Sequence, residues 1–210
     1  MRRPRDTVAG EAGFTLVELL VVIAVIGLMA VWGVPALLQM LNRIRLTGAA
    51  QECTIFMNRA RSEAIKQGSR AEVIYQTAAV SAIGADSLFA FADVNGDGVY
   101  TAGTDVAAAG PYPLPNGVAL HGPTDGAPEG TNAIVGWDEG ATPNDGPVYN
   151  SDGSVESAGA FRFADTRGNY LEVRIEFTGT GKGTVRKWFG GGDPNANWYE
   201  NGDPDNQWTW

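Results

Sequence analysis

One cysteine and one histidine in 210 residues leave whole classes of chemistry without material. Cys53 alone cannot close an intramolecular disulfide, even in an oxidising compartment, and its place in a helical pattern reads as a small buried residue rather than a reactive thiol. His121 has no second imidazole or thiol cluster with which to build a zinc site, and no relay of nucleophile, histidine and acid can be assembled around it. Cations are also scarce, 15 Lys and Arg against 24 Asp and Glu, for a formal charge of −9. Broad nucleic-acid binding by the body of the protein is disfavoured, because phosphate neutralisation needs clustered Lys and Arg. With no paired carboxylates in a recognisable motif either, the sequence describes a building block rather than an enzyme.

What the chain does have is one long apolar run. Leu19 to Leu38 is 20 residues without a charge, which at a helical rise of about 1.5 Å per residue matches the roughly 30 Å hydrocarbon core of a bilayer. Glu18 stands at its mouth. A carboxylate at the centre of a bilayer costs about 2.5–3.5 kcal/mol on insertion scales, so a lone acid beside such a run is a functional residue in search of a cation. Arg2, Arg3 and Arg5 precede the run and suit a cytoplasmic amino terminus.

Gly13-Phe14-Thr15-Leu16-Val17-Glu18 resembles the cleavage motif of type IV prepilins and type II secretion pseudopilins. The resemblance implies a prepilin peptidase that cuts after Gly13 and methylates the new amino terminus at Phe14. Residues 1–13 are then a leader, removed before the apolar run rather than with it, unlike an ordinary secretory signal; the formal charge falls from −9 to −10. Glu18 would neutralise the Phe14 amine of a neighbouring subunit, and an α-amine with a reference pKa near 8 is cationic at neutral pH. The other implied partners are further pilins or pseudopilins through this helix and an inner-membrane assembly platform. Nothing in the family requires a cofactor.

Apolar residues at Leu37, Leu41, Ile44, Ala49, Cys53, Phe56, Ala60 and Ala64 continue the helical spacing. One helix is expected from Phe14 to Gln67, roughly 80 Å long, with Lys66 in its last turn and Gly68 as its stop. Residues 14–38 form its membrane and assembly part and 39–68 its continuation, Arg43 and Arg45 marking the exit from the bilayer. Pro35, with Gly27 and Gly33, weakens the first part by removing a backbone hydrogen bond. In the resembled family a proline there permits local unwinding on assembly; a tolerated kink is the alternative. Arg59 and Glu63, at i,i+4, are expected to pair on an exposed face, while Ala60 and Ala64 allow close approach to a sheet.

Residues 69–190 read as a β-rich domain, giving an α+β fold: a long amino-terminal helix packed on antiparallel sheet. The helix end Arg59 to Gly68 followed by Ala71 to Gln76 resembles the GspH/FimT branch of minor pseudopilins. Expected strands are 71–76, 87–92, 118–121, 133–137, 159–164, 170–177 and 184–189. The strongest hairpin turns at Asp165 to Asn169, with Phe161, Phe163, Leu171, Val173, Ile175 and Phe177 on a buried face and Arg162, Glu172, Arg174 and Glu176 on a wet one. The Pro- and Gly-rich stretch 110–146 reads as surface loops.

Three segments carry candidate sites. Asp93-Val94-Asn95-Gly96-Asp97-Gly98-Val99 has the first half of an EF-hand-type calcium loop, but Thr104 replaces the bidentate glutamate and Asp105 comes one residue late. Asp93, Asp97, Asp105, the Asn95 amide oxygen and the Val99 carbonyl are the calcium ligands on that reading; an Asx-rich turn is the other. Lys182, Arg186 and Lys187 form a small basic cluster where DNA-uptake members of the GspH/FimT branch carry glycine-arginine-x-arginine. Here Gly183-Thr184-Val185-Arg186 lacks the first arginine, so a DNA role is not expected. Residues 191–210 hold a degenerate ten-residue repeat, Gly192 to Trp198 and Gly202 to Trp208, and four of the six tryptophans lie from Trp188 onward. They either cover the open edge of the sheet or offer stacking surfaces to a sugar or a partner subunit. The expected role is a minor pseudopilin of a type II secretion system, with a type IV pilus minor pilin as the alternative.

Overall fold

The computed structural model describes residues 14–123, 133–137, 146–203 and 207–208. Gly13, parts of the 110–146 stretch and part of the second tail repeat lie outside the described residues. The chain divides between Leu41 and Asn42 into two compact units, and one helix, α1 (Leu16–Gln67), contributes to both.

In the first unit the Thr15 hydroxyl accepts the Glu18 N–H at 3.2 Å, so Thr15 is the N-cap and Glu18 occupies the third helical position of a Thr-x-x-Glu capping sequence. Every side chain from Phe14 to Leu41 is solvent-exposed within the chain, and the helix contains a stretch long and apolar enough to cross a membrane. Pro35 lies inside the helix without ending it.

In the second unit α1 buries Leu46, Ala49, Ala50, Cys53, Phe56, Met57, Ala60 and Ala64, a stripe with steps of one, three and four residues that marks a single helix face. Ile44 is excluded from it and is 54% exposed. The helix stops at Gly68, whose φ of 66° suits a residue without a Cβ, and whose N–H donates to the Ala64 carbonyl at 2.9 Å in the simple left-handed cap. Glu63 does not pair with Arg59 as expected. It takes Lys66 at 3.0 Å and Gln67 at 2.6 Å, turning toward the end of the helix, where a cation is favoured by the dipole.

Two antiparallel sheets face this helix. The first has the order β3-β2-β1-β6, with β1 Arg70–Gln76, β2 Ser87–Asp93, β3 Val106–Pro113 and β6 Val148–Tyr149. The second has the order β10-β9-β8-β7-β4, with β4 Val118–Leu120, β7 Gly159–Asp165, β8 Tyr170–Ile175, β9 Gly183–Trp188 and β10 Trp198–Glu200; β5, Ile134–Val135, also pairs β7. Ala71, Val73, Tyr75, Leu88, Ala90 and Ala92 from one sheet and Phe161, Phe163, Leu171, Val173 and Ile175 from the other join the helix stripe in one core. Gly183 lets the helix come close: a Cβ there would lie 2.8 Å from Met57 Sδ.

Four strands differ from expectation. β3, β6 and β10 were not foreseen, and β8 ends at Ile175 rather than Phe177. β3 reads VAAAGPYP, poor in β-branched residues, and is held by pairing with β2. β10 is an edge strand recruited from the tail by β9. Phe177 is 72% exposed and its carbonyl begins the next turn, accepting from Thr180 and Gly181.

Candidate functional site

β2 is buried along its whole length, although its residues alternate between two faces. Leu88, Ala90 and Ala92 enter the core; Phe89 and Phe91 point outward and are covered by Tyr100, whose ring lies 4.9 and 5.6 Å from theirs in edge-on geometry. Tyr100 belongs to the Asp-rich loop that leaves β2, so folding that loop back both roofs the sheet and gathers its acids.

Asp93, Asp97 and Asp105 each place a carboxylate oxygen within 4.8 Å of the others. Asp93 Oδ1 accepts from the Gly96 and Asp97 amides at 2.7 and 3.2 Å, and Oδ2 from Gly98 at 2.9 Å. Asp105 accepts from Thr101 at 2.7 Å and Val94 at 2.9 Å; these bonds, led by Thr101, hold its carboxyl below the usual range. The Asn95 amide donates to Asp97 Oδ2 at 2.8 Å, and Asp97 Oδ1 takes the Val99 N–H at 2.8 Å. The set is all oxygen and carries three negative charges, the hard-donor kind that Ca²⁺ accepts.

The second sheet has a different roof. Arg162 and Glu172, expected on a wet face, are both 0% exposed. Their side chains meet across β7 and β8, Arg162 Nε to Glu172 Oε2 at 3.2 Å. The tail covers them: Asn195 Oδ1 accepts from Arg162 Nη2 at 3.0 Å, and the Arg162 guanidinium lies 4.8 Å from the centre of the Trp198 ring. Arg174 stands 3.6 Å from Glu172 Oε2 and Arg186 4.0 Å from Oε1, which accepts no hydrogen bond. Burial pushes the Glu172 carboxyl above its ordinary value, against the pull of Arg174, Arg162 and Arg186.

Strand alternation and ion pairing disperse the expected basic cluster. Arg186 and Lys187 are neighbours on β9 and so face opposite ways. Arg186 is engaged by Glu176 at 2.8 Å and Glu200 at 3.7 Å, and Lys187 is buried, its ammonium 5.4 Å from the Phe189 ring. Lys182 alone of the three is exposed. Cys53 is also fully buried, and burial raises its thiol pKa well above the ordinary value, which leaves it protonated and inert.

The residues at the start of α1 stay accessible: Phe14 is 79% exposed, and the Glu18 side chain is exposed in the first helical turn. Residues 9–34 match the family model described as the prokaryotic N-terminal methylation motif. No curated protein and no solved structure matches the chain. The motif, the long helix and the antiparallel sheets packed on it make this a type IV prepilin-like protein. The matched family is structural rather than enzymatic, the motif implies processing by a prepilin peptidase and assembly with other pilins, and the apolar helix fits a single-pass inner-membrane protein.

Proposed function

We propose that the chain is a minor pseudopilin of the GspH/FimT kind, cleaved after Gly13, methylated at Phe14, and drawn from the inner membrane into the short filament of a type II secretion system, its second unit lying in the periplasm. The observation that carries this reading is the methylation motif with Glu18 in the first turn of α1, directly before an uncharged run. Inside a membrane an unpaired carboxylate is costly. The α-amine of a neighbouring Phe14 relieves that cost only when two subunits stand in register, so the pair both draws the subunit in and sets its depth. Pro35 removes one helical hydrogen bond in the same segment and supplies the local give that packing among other helices needs. The acidic body and the dispersal of Lys182, Arg186 and Lys187 support an assembly role over DNA uptake.

The test compares normally exported proteins in the medium of a clean deletion strain, a complemented strain and one carrying Glu18→Ala. Exported proteins should remain in the periplasm of the deletion strain, the native gene should restore them to the medium, and Glu18→Ala should not. Unchanged export with lost motility would instead assign the chain to a type IV pilus.

The same reading includes one calcium ion in the Asp93, Asn95, Asp97, Val99 and Asp105 loop, supported by the convergence of the three carboxylates. Its role would be to hold together three like charges that otherwise repel and so to fix the loop that carries Tyr100.

A further inference from the structure

The tail builds a hollow on the outer face of the second sheet, to which the Asp-rich loop contributes no residue. Trp198 and Glu200 are two residues apart on β10 and share one face. Arg186, the cross-strand partner of Glu200, stands on that face as well. The chain then turns back at Gly202, with a φ of 101°, and brings Asn201 and Asp203 to the same rim. Together they line a cavity of about 500 Å³, within the range of small-molecule sites.

Three properties of this hollow narrow what it takes. The Trp198 ring is fixed in advance: its Nε1–H donates to the Pro194 carbonyl at 2.8 Å, its strand is paired to β9, and the Arg162 guanidinium lies against one face. A ring held in this way loses little entropy on binding. The rim is polar and of mixed character, with the carboxylates of Glu200 and Asp203, the guanidinium of Arg186 and the amide of Asn201, which both accept from and donate to hydroxyl groups. Its charge is negative on balance, since Arg186 is shared between Glu176 and Glu200, so a nucleic acid or other polyanion is repelled.

We propose that this hollow binds a neutral saccharide, one pyranose ring stacking on Trp198 while its hydroxyls bond Glu200, Asp203 and Arg186. The C–H groups of a sugar ring carry slight positive charge, which suits the negative face of an indole. A ring with all its hydroxyls equatorial presents the flattest C–H face, which points to β-linked glucose-type chains. The site is independent of which filament the chain joins.

The experiment titrates the full chain, held in a zwitterionic detergent that has no sugar headgroup, with cellohexaose and with chitohexaose while tryptophan fluorescence is read. At least one should give a saturable change with half-saturation near or below about 1 mM. Glu200→Gln and Asp203→Asn should each weaken it about tenfold or more, and Glu200→Gln should do so without moving the thermal midpoint, because Glu200 is 53% exposed and only loosely paired. Trp198→Ala should abolish it, but that variant also uncovers Arg162, so the two carboxylate variants decide the question. No saturation with either sugar up to about 10 mM, corresponding to affinity too weak for a built site, overturns the proposal. So does binding that persists unchanged in Glu200→Gln and Asp203→Asn, or fluorescence changes produced by a single-stranded oligonucleotide in place of the sugars.

Discussion

Both sheets are roofed by chain that returns over their outer faces, and the two roofs are made of opposite materials. Over β2, the rings of Phe89, Phe91 and Tyr100 form an apolar cap. Over β7, β8 and β9, Arg162 and Glu172 are sealed beneath Asn195 and Trp198. An apolar cap gains from every atom withdrawn from water and tolerates imperfect geometry. A buried ion pair gains only when each charge has its partners, because desolvation takes back most of the Coulomb attraction. The comparison shows that a strand's period of two identifies which residues share a face and leaves open whether that face is wet.

The difference should be plainest in Glu172→Ala. Removing the carboxylate takes from the wholly buried Arg162 the acid it meets on β8, and the cost should be about 3–5 kcal/mol, measured by denaturant unfolding of the detergent-solubilised full chain. A loss below about 1 kcal/mol would mean that the pair is solvated and that the two roofs do not differ as described. Tyr100→Ala should cost about 2 kcal/mol through lost ring contacts over Phe89 and Phe91. A cost as large as that of Glu172→Ala would make the apolar roof the more sensitive of the two.

Calcium should act on the first roof alone. At a free concentration about ten times its dissociation constant it should stabilise the chain by roughly 1.4 kcal/mol, a rise of about 3–5 °C in thermal midpoint for a chain of this size. Asp97→Ala should abolish the rise, whereas Glu172→Gln should retain it. Absence of any shift in the native chain would leave the Asp93 loop as an Asx-rich turn.

The smallest effect is a slope in pH. Glu172 has a raised carboxyl pKa in the folded chain, so between the ordinary glutamate value and that raised value the folded state holds more proton than the unfolded one. Its contribution is therefore full below the ordinary value and is lost as pH rises through the folded value. The slope is at most about 1.4 kcal/mol per pH unit for one proton. Glu172→Gln should flatten it and Tyr100→Ala should keep it, a contrast visible in thermal midpoints across mildly acidic buffers.

Much of the architecture was legible because its signals are local. The stripe from Ala49 to Ala64 is written in the helical period, Gly68 in the need for a positive φ, and the Asp165 to Asn169 turn in the Asp165 carboxylate accepting from Arg167 and Asn169. β3 was not legible, because alanine, glycine and proline have no strand preference of their own and only the edge of β2 makes them one. The burial of Arg162 was missed for a related reason: nothing within β7 announces that residues 33 and 36 positions later, Asn195 and Trp198, will lie over it. A signal was present in the facing charges Arg162, Glu172 and Arg186, followed by a tail rich in tryptophan, but it spans three strands and becomes a site only in register.

The sequence by itself determined the amino-terminal device: a methylation motif, one acid, and an uncharged run of bilayer length. Each of these is a property of consecutive residues and their solvent, so no folding is needed to read it. Tertiary structure alone decided which charges are buried, that the basic residues of β9 separate, and that the tail closes a hollow around Trp198. Those outcomes depend on distant segments excluding water from one another, and burial, unlike periodicity, is not a property of any segment taken alone.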